Sequence, residues 1–153
     1  MMAPATAVSP ARRRFARAVR VSLVTVGLFP LIPPLLSHVP LLDTVAKLVD
    51  AWLAFQCQRD SARSFAPFGM NMAACARCSG IYFGMGLGAL IAKPALAAWP
   101  LRIWVAVAAL VMLLDVTTEA LGMRPAWAPL RLLTGIALAY PVSVALVLAA
   151  RGV

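Results

Sequence analysis

Residues 75–92 read CARCSGIYFGMGLGALIA, and this stretch decides the architecture of the chain. The small residues Ala76, Gly80, Gly84, Gly88 and Ala92 recur every four positions, so they form one ridge along an apolar helix. Small-residue ridges let helix backbones approach closely in lipid. The stretch therefore predicts a membrane helix that packs through its glycines. The partner is another helix of the same bundle or, as the alternative, a second copy of the chain in a homodimer.

The composition of the whole chain agrees with a membrane protein. Of its 153 residues, 63% are hydrophobic and 12% are charged, about half the charged fraction of a soluble domain. A soluble core of this size cannot hold so much apolar surface, and the length suits one domain. The net charge of +9 comes from basic residues scattered at segment ends, which indicates a topology signal and argues against a nucleic-acid partner.

Four apolar segments approach the length of about 20 residues that crosses a bilayer. They are residues 19–36, 80–98, 101–120 and 132–150, and the first should kink at Pro30. Residues 1–18 are predicted to be a disordered basic tail, and residues 19–153 a single transmembrane domain. A cleaved signal peptide is the alternative for the first segment, but no small-x-small cleavage site follows it.

Residues 41–56 predict a helix of a different kind. Apolar and charged side chains fall on opposite faces at helical spacing, with Leu42, Val45, Val49 and Trp52 on one and Asp43, Lys47 and Asp50 on the other. This pattern is typical of an amphipathic helix in the membrane interface. The fold class is therefore all-α: a polytopic membrane protein with four transmembrane helices plus one interfacial amphipathic helix.

The distribution of Lys and Arg predicts the orientation. With both termini cytoplasmic, eight basic residues lie inside and six outside, and the arginines before the first span are the strongest cue. We therefore expect a multi-pass protein of the cell (inner) membrane. The three cysteines then lie at the outer face.

Cys57, Cys75 and Cys78 admit three interpretations. They form a metal site for zinc or iron, with His38, Asp60 or water as the missing fourth ligand. Alternatively, Cys75 is a redox thiol at a helix N-terminus, or part of a disulfide. In the third interpretation they are small side chains that only pack.

Charged groups converge on the same face in this topology. Asp115 lies inside the third span with Glu119 one turn later, and an intramembrane carboxylate costs about 3 kcal/mol unless it is paired or hydrated. One interpretation is a buried salt bridge of Asp115 with Arg131. The other is a polar pocket in which Asp115 and Glu119 act as acid/base or orienting groups. Arg63, Arg77 and Arg131 then bind a small anion or anionic lipid headgroup, unless they only contact lipid.

At these residues the chain resembles the small prokaryotic membrane proteins of the domain-of-unknown-function 2085 family. The family pattern has Cys-His-Gln, Arg-Ser-Phe, Cys-Ala-Arg-Cys-Thr-Gly-Ile-Tyr-x-Gly, Asp-x-x-Thr-Gln and Arg-x-x-Thr-Gly. The matching stretches begin at Cys57, Arg63, Cys75, Asp115 and Arg131. Gln58 replaces the family histidine and Glu119 its glutamine, and the lost histidine weakens a Cys/His metal site. The resemblance implies the fold and the grouping of residues, and no reaction.

The sequence thus predicts a metal-binding or thiol-redox membrane protein, with enzymatic activity on an anionic headgroup left open. A small transporter or channel is the second hypothesis, in which Asp115 and Glu119 line a path. A structural accessory subunit is the third.

Overall fold

The computed structural model describes residues 9–37, 39–57, 64–66, 71–92 and 98–152, and this part of the chain is all-helical, with no strand. The helices are α1 (Pro10–Gly27), a 3-10 turn (Phe29–Leu31), α2 (Ile32–Leu36), α3 (Asp43–Gln56), α4 (Ala76–Ile91), α5 (Ala98–Ala120) and α6 (Ala128–Arg151). His38, Asp60 and Arg63, each of which the sequence analysis placed at the site, lie outside the described residues.

Helix α1 begins at Pro10, well before the predicted start of the first span at Val19. The Ser9 side chain caps it by accepting a hydrogen bond from the Arg12 N–H, and Pro10 stands at the first turn, where its missing N–H costs nothing. Ala and Arg are good helix formers and continue the helix. The prediction of a disordered tail is therefore wrong for residues 10–18, and residues 1–8 lie outside the described part.

The predicted kink at Pro30 is confirmed as an interruption of the helix. Helix α1 ends at Gly27, Phe29–Leu31 form a 3-10 turn, and α2 then resumes the helical path as far as Leu36. Pro30, Pro33 and Pro34 cause this irregularity because they lack the N–H groups that a continuous helix needs.

Within the part of the chain that the structure describes, three helical segments are long and apolar enough to cross a membrane: Pro10–Leu36, Trp99–Ala120 and Ala128–Arg151. Helix α4 is apolar but has 16 residues, which gives it a length of about 24 Å. It starts earlier than the predicted span 80–98 and ends at Ile91, two residues before the Lys93-Pro94 pair in the sequence. Residues 93–97 lie outside the described residues.

Helix α4 packs mainly against α6, and its glycines make that contact possible. A Cβ atom added at Gly84 would lie 2.8 Å from the Ile136 carbonyl oxygen. At Gly80 and Gly88 the added atom would collide with the carbonyl oxygens of Leu132 and Tyr140. The ridge predicted from the sequence is thus buried inside the bundle, against the neighbouring helix of the same chain.

The remaining helices surround this pair. Helix α1 packs against α4 at the Gly27–Gly86 crossing and also contacts α6, whereas α5 packs mainly against α6. The Arg20 guanidinium donates to the Ala92 carbonyl at 2.8 Å, and Arg12 lies against Gly152. The start of α1 and the ends of α4 and α6 therefore share one end of the bundle.

Candidate functional site

The three cysteines meet at the opposite end of the bundle. Cys57 directly follows α3, Cys75 stands immediately before the first residue of α4, and Cys78 lies in the first turn of α4. Their sulfur atoms all lie within 4.8 Å of one another, and the Cys75 N–H donates a hydrogen bond to the Cys57 Sγ at 3.2 Å. All three are half-buried free thiols. The fold thus brings Cys57 next to the Cys-x-x-Cys motif, although Cys57 and Cys75 are 18 residues apart in the sequence.

Cys75 and Cys57, which lie just outside the helices, differ in the acidity of their thiols. The pKa of Cys75 is lowered to about 5, mainly because the Cys78 thiol donates a hydrogen bond to it, with help from the backbone N–H groups of Cys78 and Arg77 at the start of α4. Burial raises the pKa of Cys57. At neutral pH the cluster therefore holds a thiolate at Cys75, and a thiolate is the form that binds metal.

The sulfur positions fit a thiolate-bound metal ion. Zinc binds cysteine at about 2.3 Å, so three sulfurs of a tetrahedral site lie roughly 3.8 Å from one another. The sulfur–sulfur distances in the cluster are at most 4.8 Å, so the three cysteines need to move only slightly closer together to reach that geometry. Among the described residues, the group contains these three cysteines and no further His, Cys, Asp or Glu. The three residues therefore leave one position of a four-coordinate ion open to another donor.

A cluster of ion pairs lies beside the cysteines and joins α4, α5 and α6. Arg77 contacts Asp115 at 2.6 Å and Glu119 at 3.9 Å. Arg124 also pairs with Asp115, and the Arg131 Nε donates to Glu119 at 2.8 Å. Three cations thus pair with the buried Asp115 and the partly buried Glu119, which offsets part of the cost of placing these carboxylates in an apolar bundle.

The partners differ from those expected. Asp115 pairs with Arg77 and Arg124, and Arg131 pairs with Glu119. Arg124 was not among the predicted site residues, although it stands in the short connection after α5 and also donates to Thr118 at 3.0 Å. Its position soon after an intramembrane carboxylate was the only sequence signal for this contact.

Arg77 connects the thiols with the ion pairs. It stands between Cys75 and Cys78 in sequence, and its guanidinium reaches both carboxylates of α5. Its Nε is buried and has no hydrogen-bond partner among the described residues. The two groups of residues therefore form one continuous polar region at this end of the bundle.

A cavity of about 310 Å³ adjoins the cysteines on the side of α1 and α3. Cys57 and Cys78 form part of its wall, as do Tyr82 and Gln56, and the Tyr82 hydroxyl donates to the Gln56 Oε1 at 2.8 Å. Trp52, which the sequence analysis placed on the apolar stripe of α3, also lines the cavity, 6.4 Å from Tyr82 between ring centres. No sequence pattern predicted this cavity.

The comparison with known families agrees with the pattern of these residues. Residues 57–145 match the family described as "Predicted membrane protein (DUF2085)". The chain belongs to this family. The match includes all three cysteines, Arg77, Arg124, Arg131 and both carboxylates.

One curated relative is the "Uncharacterized protein MJ1492" of Methanocaldococcus jannaschii, which is 39% identical over 83 residues. The match covers 52% of this chain and 53% of the relative, so the chain spans about half the length of the protein it matches. No solved structure matches. This member of the family is therefore an all-helical predicted membrane protein whose cysteine cluster is compatible with metal binding.

Proposed function

We propose that this protein is an integral membrane metalloprotein that binds one zinc or iron ion through Cys57, Cys75 and Cys78. The observation that supports the proposal is the approach of the three sulfur atoms to within 4.8 Å of one another. Two of them come from a Cys-x-x-Cys turn at the start of α4 and one from the end of α3. Thiolate ligands favour zinc and iron over magnesium or calcium.

Metal analysis of the purified protein tests this assignment. Protein prepared in detergent without chelators should contain about one zinc or iron per chain, and Cys75→Ser should reduce that to below about a tenth. Asp43→Asn is the control, because it removes an exposed carboxylate on α3 and leaves the thiols in place. A protein without stoichiometric metal, or one whose metal survives Cys75→Ser, would contradict the proposal.

A disulfide is the competing state of the same thiols. Counting free thiols by mass spectrometry in the same preparation separates the two states. A metal site keeps all three cysteines as thiols once the metal is removed, whereas a disulfide leaves one free thiol. A metal-free protein with one free thiol would support the redox hypothesis.

For the membrane arrangement we propose four spans, with α4 as the short one, α3 in the interface and both termini in the cytoplasm of an inner membrane. The antiparallel arrangement supports this. Arg12 and Arg20 of α1 lie at the same end as Ala92 and Gly152, opposite the cysteines. The positive N-terminal helix favours the cytoplasmic side for that end, and the cysteines then face outwards.

The charged cluster supports a structural role within this proposal. Asp115 and Glu119 are held by arginines, which suits joining three helices better than lining a transport path. Catalysis by these carboxylates and anion binding by Arg77 and Arg131 stay predictions. Arg77 is the better candidate of the two arginines, because its Nε is buried without a partner among the described residues.

A further inference from the structure

The cavity beside the cysteines has a polar end and an apolar end. Along α4, its wall runs from Cys78 through Tyr82 to Met85, one helical turn at a time. Along α3, it runs from Cys57 and Gln56 back to Leu53. Cys78 and Met85 are separated by about 10 Å of helix. A molecule in the cavity would therefore have its polar group at the cysteines and an apolar body about that long.

The size and walls of the cavity fit a small lipophilic molecule. Its volume of about 310 Å³ lies at the lower end of the range for small-molecule sites. Val26 of α1 and Ile81 of α4 add to the apolar wall. Trp52 and Gln56 at the rim are exposed, so the cavity opens towards the surroundings of α3 rather than being sealed inside the bundle.

The polar end is equipped to bind an electron-pair donor. The Tyr82 hydroxyl already donates its hydrogen to the Gln56 Oε1. The Gln56 amide N–H groups are therefore the donors of this pair that remain for a bound molecule. Cys57 and Cys78 both line the cavity, so a metal ion held by the three thiolates would adjoin it. Such an ion has a fourth position, which metal sites of open type leave to an exogenous ligand.

We infer that the cavity binds a lipophilic molecule with a soft, electron-pair-donating head, a thiolate, which becomes the fourth ligand of the metal ion. The inference rests on the proposed metal site and adds its ligand class. The thiol loses its proton to solvent on binding, and its sulfur forms a bond to the metal, so no oxidant or reductant takes part. The apolar walls select the body of the ligand, and the metal selects its sulfur.

Cobalt-substituted protein in detergent provides the experiment, because thiolate-to-cobalt absorption bands report both the number of sulfur ligands and an exogenous fourth ligand. The probes are 1-hexanethiol and the polar 2-mercaptoethanol. We expect hexanethiol to change the cobalt spectrum at a concentration at least about tenfold lower than that of 2-mercaptoethanol, because the hexyl chain is buried in the cavity.

Variants of the wall separate binding in the cavity from simple partition into the micelle. Met85→Trp fills the apolar end and should abolish the preference for hexanethiol while leaving cobalt stoichiometry unchanged. Leu87→Trp is the control, since Leu87 lies on the same helix with an exposed side chain and should keep the preference. Val26→Phe fills the cavity from α1 and serves as a second blocking variant if Met85→Trp does not fold.

The outcomes distinguish the two proposals. No thiolate-to-cobalt absorption would overturn both the metal site and its ligand. Bound cobalt with a spectrum that already shows four protein ligands, or with no hexanethiol preference, would overturn only the ligand. A preference that survives both blocking variants would overturn it as well.

Discussion

At the scale of single residues, the N-terminus of α4 carries most of the chemistry of this end of the bundle. Cys75 immediately precedes the helix, Arg77 reaches the carboxylates of α5, and the Cys78 sulfur lies close to the other two sulfurs. One helical turn therefore contributes to the metal cluster and to the ion pairs. A substitution at any of these positions should be measured against both metal content and stability.

The thiolate at Cys75 predicts an unusual pH dependence of alkylation. In metal-free protein, the rate at which iodoacetamide modifies Cys75 should stay level between about pH 6 and 8 and fall below its pKa of about 5. The sign follows from the lowered pKa, because the reactive thiolate is already fully formed above that value. Peptide mapping by mass spectrometry gives the rate at each pH.

Cys78→Ala tests the cause of this shift. It removes the hydrogen bond that contributes most to the lowered pKa, so the Cys75 rate should then rise with pH between about 7 and 9. A wild-type rate that rises tenfold per pH unit from 6 to 8 would contradict the assignment.

Asp115→Asn should destabilise the bundle strongly. The Asp115 side chain is 3% exposed and pairs with two arginines, so its loss leaves cations without their counter-charge. Breaking a buried pair costs about 3 kcal/mol here, the lower end of the usual range, because Arg77 and Arg124 are partly exposed. Thermal unfolding in detergent measures the loss.

Asp43→Asn is the matched control for that variant. Asp43 pairs with Lys47 on α3, where the two side chains are 36% and 75% exposed, so the same chemical change should cost less than about 0.5 kcal/mol. Equal effects of the two substitutions would show that burial of the Asp115 pair contributes nothing to stability.

At the scale of helices, the closeness of α4 and α6 depends on residues that lack side chains. Gly80, Gly84 and Gly88 face the α6 backbone, and Gly135 of α6 faces the backbone of Arg77 and Ile81. The Ser143 hydroxyl donates to the Met85 carbonyl at 2.6 Å across this interface. Close backbone approach and an interhelical hydrogen bond thus replace the hydrophobic driving force that lipid does not supply.

Gly84→Ala should loosen this contact. The added Cβ would lie 2.8 Å from the Ile136 oxygen and 2.9 Å from the Ala139 Cβ, so the helices must separate. The expected cost is about 1–3 kcal/mol, seen as a lower midpoint of thermal unfolding in detergent.

Gly86→Ala provides the control on the same helix. Its added Cβ would meet the Gly27 Cα at 3.4 Å, an ordinary contact, so this variant should be neutral or slightly more stable. If Gly84→Ala were tolerated as well as Gly86→Ala, the burial of the glycine ridge against α6 would be contradicted.

Sequence patterns predicted the helices to different degrees. The period of α3 and the apolar runs of α5 and α6 were sufficient to locate those helices. The start of α1 was missed because arginine density was interpreted as disorder, although Ser9 and Pro10 form a helix-start signal. The end of α4 at Ile91 was missed because the apolar residues 95–98, which follow Lys93-Pro94, extend the hydropathic stretch past it.

At the scale of the whole molecule, the two ends of the bundle have different chemistry. One end holds Arg12 and Arg20 near the ends of α4 and α6, and the other holds the thiols and ion pairs. The approach of the cysteines to one another followed from topology and could be anticipated. The pairing of Asp115 with Arg124 and the cavity at Tyr82 depend on side-chain packing, which no sequence period encodes.

The orientation of these ends is testable in cells. With the N-terminal arginines in the cytoplasm, a membrane-impermeant maleimide should label the cysteines in intact spheroplasts after metal chelation. A variant with Cys57, Cys75 and Cys78 all replaced by serine is the control for background. Labelling only after permeabilisation would reverse the proposed topology.

The order of the ion-pair partners along the chain has a consequence for biosynthesis. Arg77 precedes Asp115 by 38 residues, so a cation on α4 has already been synthesised when that carboxylate leaves the ribosome. Arg131 follows Glu119 by 12 residues, so this pair closes only once α6 emerges. We therefore expect α5 to enter the bilayer by pairing with α4 first, and translocation intermediates that stop before α6 to retain Glu119 near the aqueous boundary.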